Sequence, residues 1–445
     1  MSNANQTFQP SVGLDGHEPA SNGMMTRHGI LAVSVALLAI GVVVVSSATA
    51  SLQRSLVDSL QWEQPLGRQV VFVLCGILVL IFSSRLTPFW LKRPSWHTSV
   101  VVLLAALTLV ALCLPLIPGV GSDHRGSSRW LRLSAGGFGI NIQPSEFAKF
   151  SLVLLLAWWL TRPWVNIRSL QFGFFPAMIP LGIFVGLVGL EDLGTAALLA
   201  LVGGLLVLTA GCRLSHVLTT GLLGVAGLVL LLLKEKYRRD RFTAFWNPEA
   251  DLDGAGYQAY QSLKTIASGG WTGTGLGTGI QKYGYLPESH TDFIFALICE
   301  ETGVLGALLV MGLYAALIWL GFRVIREGLT SFERLVAFGL TSMIGWQAFM
   351  NMAVVVVIAP TTGISLPLIS VGGSGILTYS LVLGVLAGIA SRIGCVEQPA
   401  DVPSGEVIRY GVAHRDNAYQ EPSVAQGAYA LESENDGYST EGQTA

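Results

Sequence analysis

Charge is what this chain has least of: only 12% of its 445 residues are Asp, Glu, Lys or Arg, and the formal net charge is −2. Cysteine is also sparse, with Cys75, Cys113, Cys212, Cys299 and Cys395 scattered along the chain and no CxxC pair, which argues against a disulfide framework and a cysteine-ligated metal. The seven histidines show no HExxH or clustered spacing, so any metal would be a hard cation held by carboxylates and phosphate oxygens. No internal repeat is visible, and the alternating pattern of an outer-membrane barrel is missing. No organic cofactor and no nucleic-acid partner are expected.

Hydrophobic residues, by contrast, make up 51% of the chain and gather in runs long enough to cross a bilayer. Spans are expected at residues 29–50, 69–84, 98–117, 147–160, 174–190, 196–210, 217–233, 293–322, 335–359 and 375–390, each bounded by charge, proline or polar residues. They must be helical, because an unclosed strand in lipid leaves backbone groups unpaired at several kcal/mol each. The fold expected is therefore an all-α polytopic membrane protein with ten transmembrane helices, both termini cytoplasmic, and a large extracytoplasmic loop between helices 7 and 8. Residues 29–50 are too long for a signal-peptide core and read as a retained first span. Residues 1–28 and the acidic stretch 393–445 are too polar to offset the entropy of ordering and read as disordered cytoplasmic tails around the membrane domain 29–392.

Orientation follows from short loops: Arg85, Lys92, Arg93, Arg162, Arg168, Arg213, Arg323, Arg326 and Arg334 fall on the side of the termini, which marks the cytoplasm. The outer side nevertheless carries Arg125, Arg129 and Arg132 in one loop, and Lys234, Lys236, Arg238, Arg239, Arg241, Lys264 and Lys282 in another. The long loop is near the length at which the charge rule lapses. The sharper reading is a cationic vestibule for an anionic head group.

Ionisable residues at or inside spans are costly and survive with a partner or a task. Glu146 and Lys149, at i and i+3, share a helix face and could be a structural ion pair or a site. Asp192 occupies a short outer turn; Glu288, His290 and Asp292 precede the eighth span, and Glu300 and Glu301 lie about two turns into it. Asp292 could cap that helix or act as a base, and spacing alone does not separate the two. Gln347 and Asn351, at i and i+4, read as interhelical hydrogen bonding rather than substrate contact.

Three stretches carry a resemblance: GSSRWLRLSAGGFGINIQPSEFAK, GAGYQAYQSLKTIASGGWTGTGLGTGIQKYGYLPESHTDFIFALICEETG and NMAVVVVIAPTTGISLPLISVGGS. Together they resemble the SEDS family of polytopic peptidoglycan glycosyltransferases over residues 29–392, and QKYGYLPESHTDF is most similar to its division branch. Val371 stands where the family has tyrosine, Asn247 where it has aspartate, and Leu190 and Glu191 where it has Gln-Pro. The resemblance implies lipid II as substrate, joined into glycan strands outside the bacterial cytoplasmic membrane, at the septum. It assigns Asp292 the role of general base toward the acceptor 4-hydroxyl, with inversion and an undecaprenyl-pyrophosphate leaving group. Arg129, Lys149, Arg241 and Lys282 would clamp that pyrophosphate, with Mg²⁺ or another divalent cation bridging phosphates. Arg68, Trp130, Gln143, Glu146, Asp192, Glu288 and His290 complete the expected substrate-binding set. A class B penicillin-binding protein, an FtsI-like transpeptidase, and other divisome membrane proteins are the implied partners. A lipid II flippase and a non-catalytic scaffold for a transpeptidase are the competing readings.

Overall fold

The structure, a computed structural model, describes residues 19–49, 64–91, 94–117, 121–124, 127–135, 138–234, 236–252, 254, 256–280, 286–287, 290–327 and 330–393. Residues 1–18 and 394–445 of the expected tails lie outside the described residues, as do Lys92, Arg93, Arg125, Lys282 and Glu288 and the side chain of Arg129.

The helices among the described residues are α1 (Pro19–Thr49), α2 (Pro65–Leu91), α3 (Pro94–Cys113), α4 (Pro144–Leu160), α5 (Phe175–Glu191), α6 (Leu193–Thr209), α7 (Leu214–Lys234), α8 (Lys236–Trp246), α9 (Tyr257–Gly269), α10 (Ile294–Glu327), α11 (Ser331–Val355) and α12 (Gly373–Ala390). Several starts are written in the sequence. Pro65, Pro94 and Pro144 open their helices where a missing N–H costs nothing. Thr330 and Glu333 form a reciprocal capping box at α11, with the Glu333 amide donating to Thr330 Oγ1 at 3.2 Å.

Seven of these helices are long and apolar enough to cross a membrane. The other three expected spans coincide with α4, α6 and α11, so each expected apolar segment is mainly helical, although α11 ends at Val355 rather than 359. α12 is the central helix, with 78% of its span buried, against 0% for α7 at the periphery. Small residues let α12 approach α2. Ser380, Gly384 and Gly388 recur every four residues, and a Cβ on Gly384 would sit 1.8 Å from Ser83 Oγ. The start of α1 meets the end of α12, since a Cβ on Gly23 would lie 2.3 Å from the Ile393 carbonyl.

The structure corrects the expectation in four places. α1 begins ten residues before 29, because Thr26 is fully buried and extends the packed surface of the span. α2 continues to Leu91 rather than ending at 84, with Ser84 and Thr87 buried along the continuation. The fold is not wholly α. The loop after α3 forms a three-stranded antiparallel sheet, β1 (Gly121–His124), β2 (Ser127–Ala135) and β3 (Phe138–Ile142), in the order β1-β2-β3. Alternation in SSRWLRLSA and the Gly-Gly pair between Ala135 and Phe138, which are register partners, supply the hairpin signal. Finally, the long polar loop contains two helices. α9 buries Ala259, Ser262, Thr265 and Gly269 at helical spacing, and the Ser262 hydroxyl donates to the Val355 carbonyl at the end of α11 (2.7 Å).

Candidate active site

The buried polar groups converge on residues 356–372, the irregular segment between α11 and α12. The only two non-glycine residues with positive φ among the described residues, Val357 (57°) and Leu368 (66°), both lie in this segment. Such strain persists only where surrounding contacts over-determine the backbone, and it clusters at functional sites.

α11 reaches this segment with two side chains one turn apart. Asn351 Nδ2 donates to the Ile364 carbonyl (2.8 Å) and to the Asp292 carbonyl (2.7 Å). Gln347 Nε2 donates to the Ser365 carbonyl (2.9 Å), while its Oε1 accepts from Lys149 Nζ (2.7 Å). The expected interhelical hydrogen bonding holds for Gln347, which accepts from Lys149 on α4, whereas Asn351 bonds to backbone carbonyls outside the helices. The segment also holds the chain before α10 directly: the Val371 amide donates to the His290 carbonyl (3.0 Å), and Ser370 Oγ to the Thr291 carbonyl (2.6 Å). Since Val371 contributes its amide there, a valine in place of tyrosine leaves that bond intact. Asp292 is half-buried, two residues before α10.

Lys149 is enclosed at 1% exposure. Its ammonium donates to Glu146 Oε1 (2.8 Å), Gln347 Oε1 (2.7 Å) and the Tyr379 hydroxyl (3.1 Å), one acceptor for each proton. Tyr379 in turn donates to Gln347 Oε1. α4, α11 and α12 are thus joined through one cation, and in this arrangement Lys149 is fully engaged inside the protein.

The remaining candidates take distinct positions. Arg68 is half-buried in the first turn of α2, next to Gln69, whose Nε2 donates to the Ile369 carbonyl at 3.3 Å. Trp130 is half-buried on β2, and β3 leads into Gln143, whose amide faces Ser374 Oγ at 3.4 Å. Asp192 caps α6, accepting from the Thr195 amide (3.1 Å) and hydroxyl (3.0 Å). Gly194, two residues on, presses against Thr362. Arg241, on α8, lines a cleft with Phe245, Ala259, Val357 and Pro360. The contacts of Gln69, Gln143, Gly194 and Arg241 thus place Arg68, Gln143, Asp192 and Arg241, or their immediate neighbours, near residues 356–375.

α10 is not a continuous helix. At Gly303 (φ 67°, ψ −164°) it breaks, and the Val304 and Leu305 amides donate instead to the Gly270 and Trp271 carbonyls. A Cβ on Gly303 would sit 2.5 Å from the Gly273 nitrogen and the Trp271 carbonyl oxygen, so only glycine fits this splice. The short first segment of α10 carries Glu300 and Glu301, both buried. Ser47, Tyr379, Ser370 and Ser374 were not singled out from sequence. For Ser47 and Tyr379 the available signal was a polar side chain inside an apolar span; Ser370 and Ser374 lie between expected spans and carried none.

Long apolar helices around a polar, strained irregular segment define a multi-pass membrane protein with a buried polar site at one end of its bundle. The family model for FtsW, RodA and SpoVE, described as "Cell cycle protein", matches residues 27–393, and the chain belongs to that family. It is 36% identical over 366 residues to the "Probable peptidoglycan glycosyltransferase FtsW" of Trichlorobacter lovleyi, covering 82% of this chain and 93% of that protein. It is equally 36% identical to the "Stage V sporulation protein E" of Bacillus subtilis over 363 residues, 81% of this chain and 96% of the relative. Among solved structures, a chain from work on the "structural coordination of polymerization and crosslinking by a peptidoglycan synthase complex" superposes with a TM-score of 0.64 at 26% identity, covering 82% of this chain and 97% of that one. The rod shape determining protein RodA of Thermus thermophilus shares the fold, with a TM-score of 0.57 at 24% identity over 82% of this chain and 96% of that one.

Proposed function

We propose that the protein is a peptidoglycan glycosyltransferase that polymerises lipid II on the outer face of the bacterial cytoplasmic membrane during septal division. The observation that carries this reading is the convergence of the Asp292 segment and the Glu146–Lys149 network on residues 364–371, within a chain 36% identical to FtsW proteins. Ten membrane crossings with both ends cytoplasmic would be made by α1–α7 and α10–α12, and the meeting of the start of α1 with the end of α12 suits them.

In this mechanism Asp292 takes the proton from the acceptor 4-hydroxyl as the oxygen attacks the donor's anomeric carbon, inverting it and releasing undecaprenyl pyrophosphate. Asn351, Ser370 and Val371 hold the backbone of Asp292 and its two preceding residues, so the base is positioned before substrate arrives. Arg129, Arg241 and Lys282 are the proposed clamp on the leaving pyrophosphate. Lys149 supports the site from behind by tying three helices together. Among the described residues no three His, Cys, Asp or Glu side chains converge as a metal site. A class B penicillin-binding protein would crosslink the strands, in keeping with the pairing of polymerisation and crosslinking in the related synthase complex.

The test is to incubate the purified protein and its transpeptidase partner with lipid II, and separately to follow lipid II translocation in liposomes containing the protein. Glycan ladders without translocation are expected. Translocation without ladders would overturn the assignment in favour of a flippase.

A further inference from the structure

Glu300 and Glu301 are 1% and 4% exposed, and two adjacent carboxylates so deeply enclosed require a reason. Their hydrogen bonds supply one, because both turn toward the backbone of the glycine-rich segment 274–280. Glu300 Oε1 accepts from the Ile280 amide (2.8 Å), and its carbonyl accepts from the Thr274 amide (2.9 Å) and hydroxyl (3.1 Å). Glu301 Oε1 accepts from Ser47 Oγ (2.6 Å) and the Gly277 amide (3.2 Å), and its carbonyl from the Gly275 amide (3.0 Å). The Gly277 amide also points at Ser47 Oγ (2.6 Å), which brings the end of α1 into the same cluster. Amide bonds to a carboxylate are roughly twice as strong as neutral ones.

We propose that Glu300, Glu301 and Ser47 are positioning residues for the chemistry of Asp292, forming a clasp that fixes segment 274–280 onto the first turns of α10. The inference rests on the glycosyltransferase reading and assigns it three further residues. Its logic is topological. Asp292 sits two residues before α10, and the clasping glutamates follow it by eight and nine residues on that helix. The Ile280 amide is held by Glu300 of that helix and the Asp292 carbonyl by Asn351 of α11, so the chain leading from Ile280 to Asp292 is anchored at both ends. That chain carries Lys282, Glu288 and His290. The break at Gly303 separates this short helical segment from the rest of α10, and the splice with residues 269–275 gives it a local scaffold. Packing tightens the arrangement: a Cβ on Gly279 would lie 2.8 Å from Glu300 Oε2.

A clasp that only stabilises the fold and one that positions the base make different predictions. In the full-length protein with its partner, Glu300→Ala and Glu301→Ala are compared with Glu300→Gln and Glu301→Gln. The readouts are kcat and KM for lipid II polymerisation and backbone hydrogen exchange. An amide oxygen keeps the acceptor that alanine deletes. Displacement of reacting groups by about 1 Å can cost on the order of 10²-fold, so the alanine variants should lose about 10²-fold in kcat with KM within about threefold. The Gly277 and Ile280 amides should exchange faster while α11 and α12 remain protected, and the glutamine variants should recover to within about tenfold of wild type. Should an alanine variant fail to fold, Ser47→Ala removes the hydroxyl shared by Glu301 and Gly277 and is read the same way. Unchanged exchange at residues 274–280 would refute the clasp. Faster exchange with unaltered kcat would refute the positioning role. A wild type that makes no strands would overturn the underlying enzymatic reading, whatever the exchange shows.

Discussion

Removing the Lys149 ammonium while keeping its volume tests the three-helix network directly. Lys149→Met leaves the Glu146 carboxylate enclosed without its cation, and strips Gln347 and Tyr379 of a shared donor. Breaking a buried pair on one side costs about 3–5 kcal/mol, whereas replacing both partners by neutral groups of similar size is often close to neutral. On the globular-protein scale of about 2 cal/mol/K per residue, the single change should lower Tm by about 5 °C in this bundle. Glu146→Gln combined with Lys149→Met should recover most of that loss, giving a coupling of about 2 kcal/mol or more in a double-mutant cycle. The assay is thermal unfolding of the four purified proteins in one detergent. Equal destabilisation in the single Lys149→Met and the double variant would refute the argument, because it would mean the carboxylate never depended on the ammonium.

Two further outcomes follow from particular contacts. Asn351→Leu deprives the Asp292 and Ile364 carbonyls of their shared donor; each buried acceptor left unpaired costs about 1–3 kcal/mol. Polymerisation should fall on the order of 10²-fold through misplacement of Asp292, measured as kcat with KM recorded alongside. Gly303→Ala forces a Cβ to within 2.5 Å of the Gly273 nitrogen at a φ of 67°. The strain alone is about 1–3 kcal/mol, so folded yield on size-exclusion chromatography should drop well below that of Val304→Ala, a control at the adjacent exposed position.

Much of the bundle was legible because lipid leaves so few options: a long apolar run has to be a helix, and the greater part of each expected span is one, though α11 stops at Val355 and α10 breaks at Gly303. Helix ends were less so. The continuation of α2 past 84 rests on Ser84 and Thr87, which are buried by tertiary packing that hydropathy does not register. The strands at 121–142 were missed although Trp130, Arg132 and Ser134 alternate with Leu131 and Leu133, since the composition of the whole chain argued for helices alone. At the site, Glu146 with Lys149 and Gln347 with Asn351 were visible as polar pairs at helical spacing; Lys149 and Gln347 bond across helices, while Asn351 holds backbone outside them. The meeting of Asp292's backbone with residues 364–371 was not visible. It joins positions about 60 to 80 apart through backbone carbonyls, and a carbonyl is common to every residue type. The same blindness hid Ser47, whose partners lie more than 200 residues away.

The central claim is that Asp292 is the base of a lipid II polymerase, and the most direct measurement is strand synthesis by Asp292→Ala beside wild type. Both would be purified with the transpeptidase partner and matched for folded content, with products resolved on a gel. A general base contributes about 10²- to 10⁴-fold, so the variant should lose at least that much polymerisation while keeping its melting temperature nearly unchanged. Equal ladders from both proteins, with a stability loss of about 1 kcal/mol in the variant, would contradict the account and leave Asp292 as a helix cap.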